Sequence, residues 1–375
     1  MSITKSAGVA RSVRVAKKAG ALAVGIGMAG TLAACGSSSD GDGGSGDSGT
    51  VTLVSHDSWA ASKDVVAAFE EQSGYKLKVL EDGDAGQAVN KAVLTKDNPQ
   101  GDVFFGVDNT LLSRALDNGL FQPYEAKGSD RVLPEYRADQ DEHRVTPVDS
   151  GDICVNYDKA YFKQHGLTPP TSLDDLTEPE YKDLLVTENA GSSSPGLGFL
   201  LGTAARYGDG DGGWEGYWKK LKANGVKVVD SWEQAYNEEF SGSAGGKKAK
   251  GDRPLVVSYA SSPPAEVVYA DPQPDSAPTG VADGTCFRQV EYAGLLSNAK
   301  NPEGGKALLD FLIGKAFQED MPLNMFVHPV REGARVPEVF RKFGPQAKDP
   351  QTMDPAKIAD HRDQWVKAWT SLVLK

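Results

Sequence analysis

Three consecutive hydroxyls ahead of a proline, Ser192, Ser193 and Ser194 before Pro195 in GSSSPGLGFLLG (191–202), are the residues best suited to chemistry. One serine is enough to cap a helix that starts at Pro195, a position where a missing N–H costs nothing. The others are spare, and a helix N-terminus with free N–H groups and extra hydroxyls is a seat for an anion or a polar oxygen. A serine-rich loop that merely precedes a helix would have the same composition. Asp82 and Gly83 in LEDGD (80–84) follow an alternating segment. They therefore stand at the carboxyl end of a strand, where open α/β sheets place ligands, although Glu-Asp-Gly is equally good turn chemistry. Trp232 and Tyr259 each follow an apolar strand. Rings projecting from those strand ends offer a π face and a hydrogen-bonding tip to a cation, or else pack in a core.

The frame that must position these groups begins late in the chain. Lys5, Arg11, Arg14, Lys17 and Lys18 form a basic start, and an apolar Gly/Ala-rich segment runs from Ala21 to Ala34. That segment is too short for a convincing membrane span and reads as a secretory signal, residues 1–34. It ends in LAAC (32–35), which resembles a bacterial lipobox and implies cleavage before Cys35 with a lipid on its sulfur. An ordinary signal peptide with a chance cysteine is the alternative. Residues 36–50 contain no large apolar side chain and cannot offset their ordering entropy by burial, so Cys35 and the stretch to residue 50 are expected to be a flexible tether. Signal, lipid cysteine and tether describe a protein moored on the outer face of the cytoplasmic membrane. Two cysteines then remain, Cys154 and Cys286. In an oxidising compartment an isolated pair tends to be bridged; two buried thiols are the alternative, and no second pair is near enough to make a metal site. The formal charge of −12 understates the acidity of the remainder, because the cations named above fall in the signal. Such a surface disfavours nucleic acid.

The chain of 375 residues allows two ordinary domains after this trimming. VTLV (51–54), YKLKVLE (75–81) and DVFFGV (102–107) read as strands. Between them lie a helix capped by Ser62 and stopped by Gly74, and another over 86–95; Asn109 is expected to open a third. The alternation predicts a parallel sheet covered on both faces. It recurs in Leu184–Thr187, the helix 195–206, VKVVDSW (226–232) leading into a helix through Tyr236, and PLVVSYA (254–260). SGSAGGKKAKGD (241–252) is expected to be a mobile loop. FRQVEYAGLL (287–296) reads as a strand, followed by helices from Pro302 through Phe311 and from Pro355, capped by Asp354. Two α/β units with separate strands predict two lobes, residues 51–148 with 290–330 and residues 149–289, with a C-terminal helical region at 331–375. If TPVDSGDICVNYD (146–158) and CFRQVEYAGLL (286–296) both cross between lobes they run side by side, which would bring Cys154 and Cys286 within bonding range.

Taken in order, DSW (57–59), LEDGD (80–84), GVDN (106–109), SSSPGLG (192–198), SWEQAY (231–236), SYASSP (258–263) and HPV (328–330) resemble the thiamine-binding lipoproteins and periplasmic proteins of ABC importers. The resemblance spans nearly all of residues 51–370. It implies an α/β fold of the two-lobed type II periplasmic-binding-protein kind with a ligand cleft between the lobes. It also implies no catalysis, no cofactor and no metal. It implies thiamine or thiamine phosphate as ligand, a membrane permease and an ATPase as partners, and a monomer. Asp82 and Gly83 match the family's ligand-contacting acid and its neighbour. Ser192, Ser193 and Ser194 match a segment that contacts the phosphate of thiamine phosphate, and are expected to hold the hydroxyethyl or phosphate end. Trp232 and Tyr259 match cleft aromatics. His56 stands where the family often has Tyr, Phe326 where it has Trp, and Ala265 where a Tyr is usual. Trp59 is expected to compensate from beside His56. Fewer rings leave room for a modified thiamine, a pyrimidine fragment or another cation.

The five histidines (56, 143, 165, 328 and 361) show no metal-ligand spacing, though His56 and His328 could meet in the cleft. Ferric-iron binders on this fold usually carry adjacent tyrosines, and no Tyr-Tyr occurs. GDGDGG (208–213) lacks the later Glu of a calcium loop and reads as a turn. There is neither a P-loop nor a GxSxG elbow. The alternatives to a thiamine carrier are an extracytoplasmic enzyme acting on a thiamine-like compound, or a binder of another small cation or of ferric iron.

Overall fold

A computed structural model describes residues 49–210, 212–243 and 251–375. The expected signal, Cys35 and most of the tether lie outside the described residues, as does the middle of the 241–252 loop. The first half alternates: β1 (Thr50–Ser55), α1 (Lys63–Ser73), β2 (Lys76–Glu81), α2 (Ala85–Leu94), β3 (Val103–Asp108), α3 (Leu112–Asp117) and a short β4 (Phe121–Gln122). A long β5 (Thr146–Asp158) leads to α4 (Lys159–His165), β6 (Leu185–Glu188), α5 (Ser194–Tyr207), α6 (Trp214–Ala223), β7 (Lys227–Val229), β8 (Leu255–Tyr259) and α7 (Pro263–Val268). An 18-residue β9 (Thr279–Leu296) returns through the molecule. It is followed by α8 (Pro302–Leu312), α9 (Lys315–Asn324), β10 (His328–Pro329), α10 (Glu338–Phe343) and α11 (Pro355–Val373).

The helix ends follow their sequence chemistry. Ser62 Oγ accepts the Val65 N–H at 3.3 Å, and Gly74, at φ 76°, ends α1. Asp354 Oδ1 accepts the Ala356 N–H at 2.8 Å to start α11. Asn109 does not open α3. Asp108 Oδ1 takes the N–H groups of Thr110 and Leu111 instead, at 3.0 and 3.2 Å, and delays the helix to Leu112. Asn109 is thereby free to hold β9, accepting from the Val290 N–H and donating to the Arg288 carbonyl. The helix expected through Tyr236 is a π-helical turn, Gln234–Glu239.

The strands form one sheet in the order β2-β1-β3-β9-β5-β8-β6-β7, with β4 on β9 and β10 on β5. Pairing is parallel within each flank, β2-β1-β3 and β8-β6-β7. The sheet as a whole is mixed rather than parallel. β5 and β9 run through both flanks in opposite senses, so they pair antiparallel from Thr146↔Ala293 to Asp158↔Thr279. Their ladder shifts between Ile153 and Val155. Cys154 and Cys286 are bonded at this break as a disulfide, with their Cα atoms 4.2 Å apart.

A continuous apolar core joins the flanks, from Val51, Phe69 and Phe104 to Leu200, Trp218 and Phe287. Trp369 of α11 meets Trp218 of α6 edge-on at 5.4 Å. The GDGDGG turn supplies Asp209, whose Oδ1 accepts both the Trp214 and Trp365 indole N–H groups. Among the described residues no helix is long and apolar enough to cross a membrane.

Candidate functional site

The carboxyl ends of β1, β2, β6 and β8 converge with the middle of β9 on a cleft. Five of the ten expected ligand residues line it: His56, Ser194, Trp232, Tyr259 and Phe326. Ser192 and Ser193 sit just behind Ser194, at the mouth of α5. Gly83 forms the turn after β2, where its carbonyl accepts the Asp57 N–H at 3.0 Å. Trp59 does not line the cleft; it packs against the core. Asp82 does not line it either. Its carboxylate is turned to Lys91 Nζ at 2.5 Å. The reason is the turn: Gly83, at φ 82°, adopts a left-handed conformation and hands the inward direction to the residue after it.

That residue is Asp84, which lines the cleft together with Asp57 and Glu291. It precedes α2, and its carboxylate crosses the cleft wall. Oδ2 accepts the Trp232 N–H at 2.9 Å and Oδ1 the Ser194 N–H at 3.3 Å. Burial pushes its pKa up to about 6, against the opposing pull of the Trp232 N–H and the Ser193 hydroxyl. Asp84 shares a motif with Asp82, and its position before a helix was the available signal. Glu291 was also missed, because it lies inside the apolar run of β9. It lines the cleft and meets His56 Nε2 at 3.5 Å. Burial alone would lower the imidazole pKa of His56; Glu291, with Asp84 and Asp57 beyond it, overrides this and raises it.

More acids stand behind the lining. Asp149 is the cross-strand neighbour of Glu291, and burial together with that neighbour raises its pKa well above the ordinary carboxylate range. Burial likewise raises Asp108 and Glu188. Tyr259 marks their convergence. Its phenol pKa is raised by burial and then by Glu291, Asp84, Asp108 and Glu188 together. Trp232 completes the aromatic wall, stacked on Tyr236 with centroids 5.1 Å apart and anchored by its indole N–H to Ser258 Oγ at 2.9 Å. Phe326 and Met325 also line the cleft. His328 does not line the cleft. It packs on Phe340, and burial lowers its pKa to about 4. Negative charge and π faces are what a desolvated organic cation requires.

The wall of this cleft is a seam between flanks. The Gln87 N–H donates to the Ser192 carbonyl at 3.1 Å, and Gly86 lies against the same peptide. A Cβ on Gly86 would stand 2.5 Å from the Ser192 oxygen and 2.7 Å from its carbon, backbone that cannot swing away. Gly86→Ala is therefore expected to weaken ligand binding by about 1–3 kcal/mol, the cost of overpacking. Calorimetry beside thermal melts of the unliganded protein checks this. A loss of stability equal to the loss of affinity would make the contact ordinary core rather than a closing seam.

Comparison with known proteins places this geometry. A family model described as bacterial extracellular solute-binding protein matches residues 98–352. The thiamine-binding periplasmic protein of Salmonella typhimurium is 29% identical over 330 residues, 86% of this chain and 93% of that one. A solved periplasmic thiamin binding protein superposes with a TM-score of 0.73 at 28% identity, covering 86% of this chain and 96% of its own. Iron-bound HitA from Pseudomonas aeruginosa, at 16% identity and a TM-score of 0.65 over 86% of this chain and 99% of its own, shares the fold alone. The architecture is thus the two-lobed type II periplasmic-binding-protein fold. Because the family match runs through more than half of its length, the chain belongs to the bacterial extracellular solute-binding proteins.

Proposed function

We propose that this protein captures thiamine or a closely related cation outside the cytoplasmic membrane and delivers it to an importer built from a permease and an ATPase. The observation that carries the reading is Asp84, a buried carboxylate held between Ser194 and Trp232 on the wall of an aromatic cleft. The likeness to thiamine-binding relatives over most of the chain supports it. Residues 51–148 with 290–330 would form one lobe and 149–289 the other, with 331–375 packed against them. β5 and β9 would flex as the hinge while ligand contacts to both lobes hold the closed state. Cys35 would carry the lipid anchor, and the chain would act as a monomer.

The test is calorimetry with thiamine at two pH values. Asp84 ionises near pH 6 and the other raised acids add the same sign, so affinity should rise about tenfold from pH 5 to pH 7. The same ionisation opposes the empty fold. A carboxyl whose pKa is raised on folding stabilises fully below its unfolded value near 3.8 and loses that contribution as pH rises through about 6. The unliganded melting temperature should therefore fall over the window in which affinity climbs. No binding at either pH would refute the function. Affinity flat with pH would remove Asp84 from the ligand's charge.

A further inference from the structure

Resting on the thiamine reading, we propose that the cleft selects the unphosphorylated cation and discriminates against its phosphate esters, because Asp84 occupies with its own carboxylate the anion seat at the mouth of α5. An N-terminal turn attracts phosphate through N–H groups that have no partner. Here the Ser194 N–H already points at Asp84 Oδ1 at 3.3 Å. Pro195, the next residue, has no N–H to offer.

The three hydroxyls are turned to the protein as well. Ser192 Oγ donates to the Asp230 carbonyl at 2.7 Å. Ser193 Oγ lies beside Asp84. Ser194 Oγ accepts from Gln289 Nε2 at 3.0 Å, and the same amide donates to Asp108 at 2.7 Å. The Ser194 N–H and the Ser192 and Ser194 hydroxyls are thus engaged within the protein, and Ser193 is buried beside Asp84.

Charge points the same way. Asp57, Asp84 and Glu291 line the cleft. Among the described lining residues there is no lysine or arginine. The one basic group, His56, is paired to Glu291. A phosphate dianion entering this cavity would meet carboxylates at short range in a low dielectric, where like charges in one site repel strongly.

Titration at pH 8 with thiamine, thiamine monophosphate and thiamine diphosphate tests the idea. The monophosphate is expected to bind at least about tenfold more weakly than thiamine, as like-charge repulsion demands. High-millimolar inorganic phosphate should leave the thiamine isotherm unchanged. Asp84→Asn, which removes the charge from the seat, should narrow the ratio between the two ligands several-fold even as it weakens both. Monophosphate binding as tight as thiamine, competition by inorganic phosphate, or an unchanged ratio in folded Asp84→Asn would each overturn the proposal. Silence with all three compounds would instead overturn the thiamine reading, and this inference with it.

Discussion

Asp84→Asn lowers thiamine affinity by about 1.5–3 kcal/mol, the range for a hydrogen bond to a charged group. Two effects add. The ligand cation loses the buried carboxylate that faces it. The seam also loses one of its two acceptors, since an asparagine keeps one carbonyl oxygen but must turn its NH2 toward either the Trp232 or the Ser194 N–H. The variant should also flatten the rise in affinity between pH 5 and pH 7, because the group near pKa 6 is gone. Asp82→Asn is the control. That carboxylate is paired with Lys91 outside the cleft, so its loss should change affinity less than about twofold, as for sites that share no partner. Calorimetry of both variants decides between the two acids. An Asp84→Asn affinity within twofold of the parent would remove Asp84 from the site.

The second large effect is on stability. Replacing Cys154 and Cys286 together by alanine should lower the unfolding free energy by about 2–5 kcal/mol, toward the upper end because the bond closes a long loop. The separation is 132 residues. Both cysteines are buried where the β5–β9 ladder shifts register. There Thr285 Oγ1 replaces strand pairing, accepting the Val155 N–H at 2.8 Å and donating to the Ala282 carbonyl at 2.7 Å. The bond ties the crossing strands where their backbone hydrogen bonds are interrupted. Ligand affinity should change little, because neither sulfur faces the cleft. Denaturant unfolding of the double variant, compared with the oxidised parent, reads the difference directly. A loss below about 1 kcal/mol would mean that packing at the crossing already does the work assigned to the bond.

Some of this was legible from local chemistry. Alternation in YKLKVLE and the apolar run DVFFGV locate β2 and β3, and Ser62, Gly74 and Asp354 mark helix ends through their own side chains or lack of one. The disulfide was readable from compartment and topology together. The cleft was readable in part, because His56, Ser194, Trp232, Tyr259 and Phe326 belong to motifs at strand and helix ends. What escaped depends on rotation and distance. The choice between Asp82 and Asp84 turns on the left-handed conformation of Gly83, which the motif does not state. Glu291 reads as an interruption in an apolar strand until β5 places Asp149 beside it and β1 brings His56 over it. The length of β9 was hidden because TGVADGT has no apolar alternation and is held as strand by pairing with β5 across the chain. The serines were read as spare because their partners, Asp230, Gln289 and Asp84, are distant in sequence.

The central claim is that a buried carboxylate and stacked rings grip one organic cation between the flanks. A crystal structure of the protein grown with thiamine tests it most directly. The account predicts the thiazolium within about 6 Å of the Asp84 carboxylate and of a Trp232 or Tyr259 ring centroid, the reach of such contacts. Thiamine bound elsewhere, or a cleft left empty at saturating ligand, would contradict it.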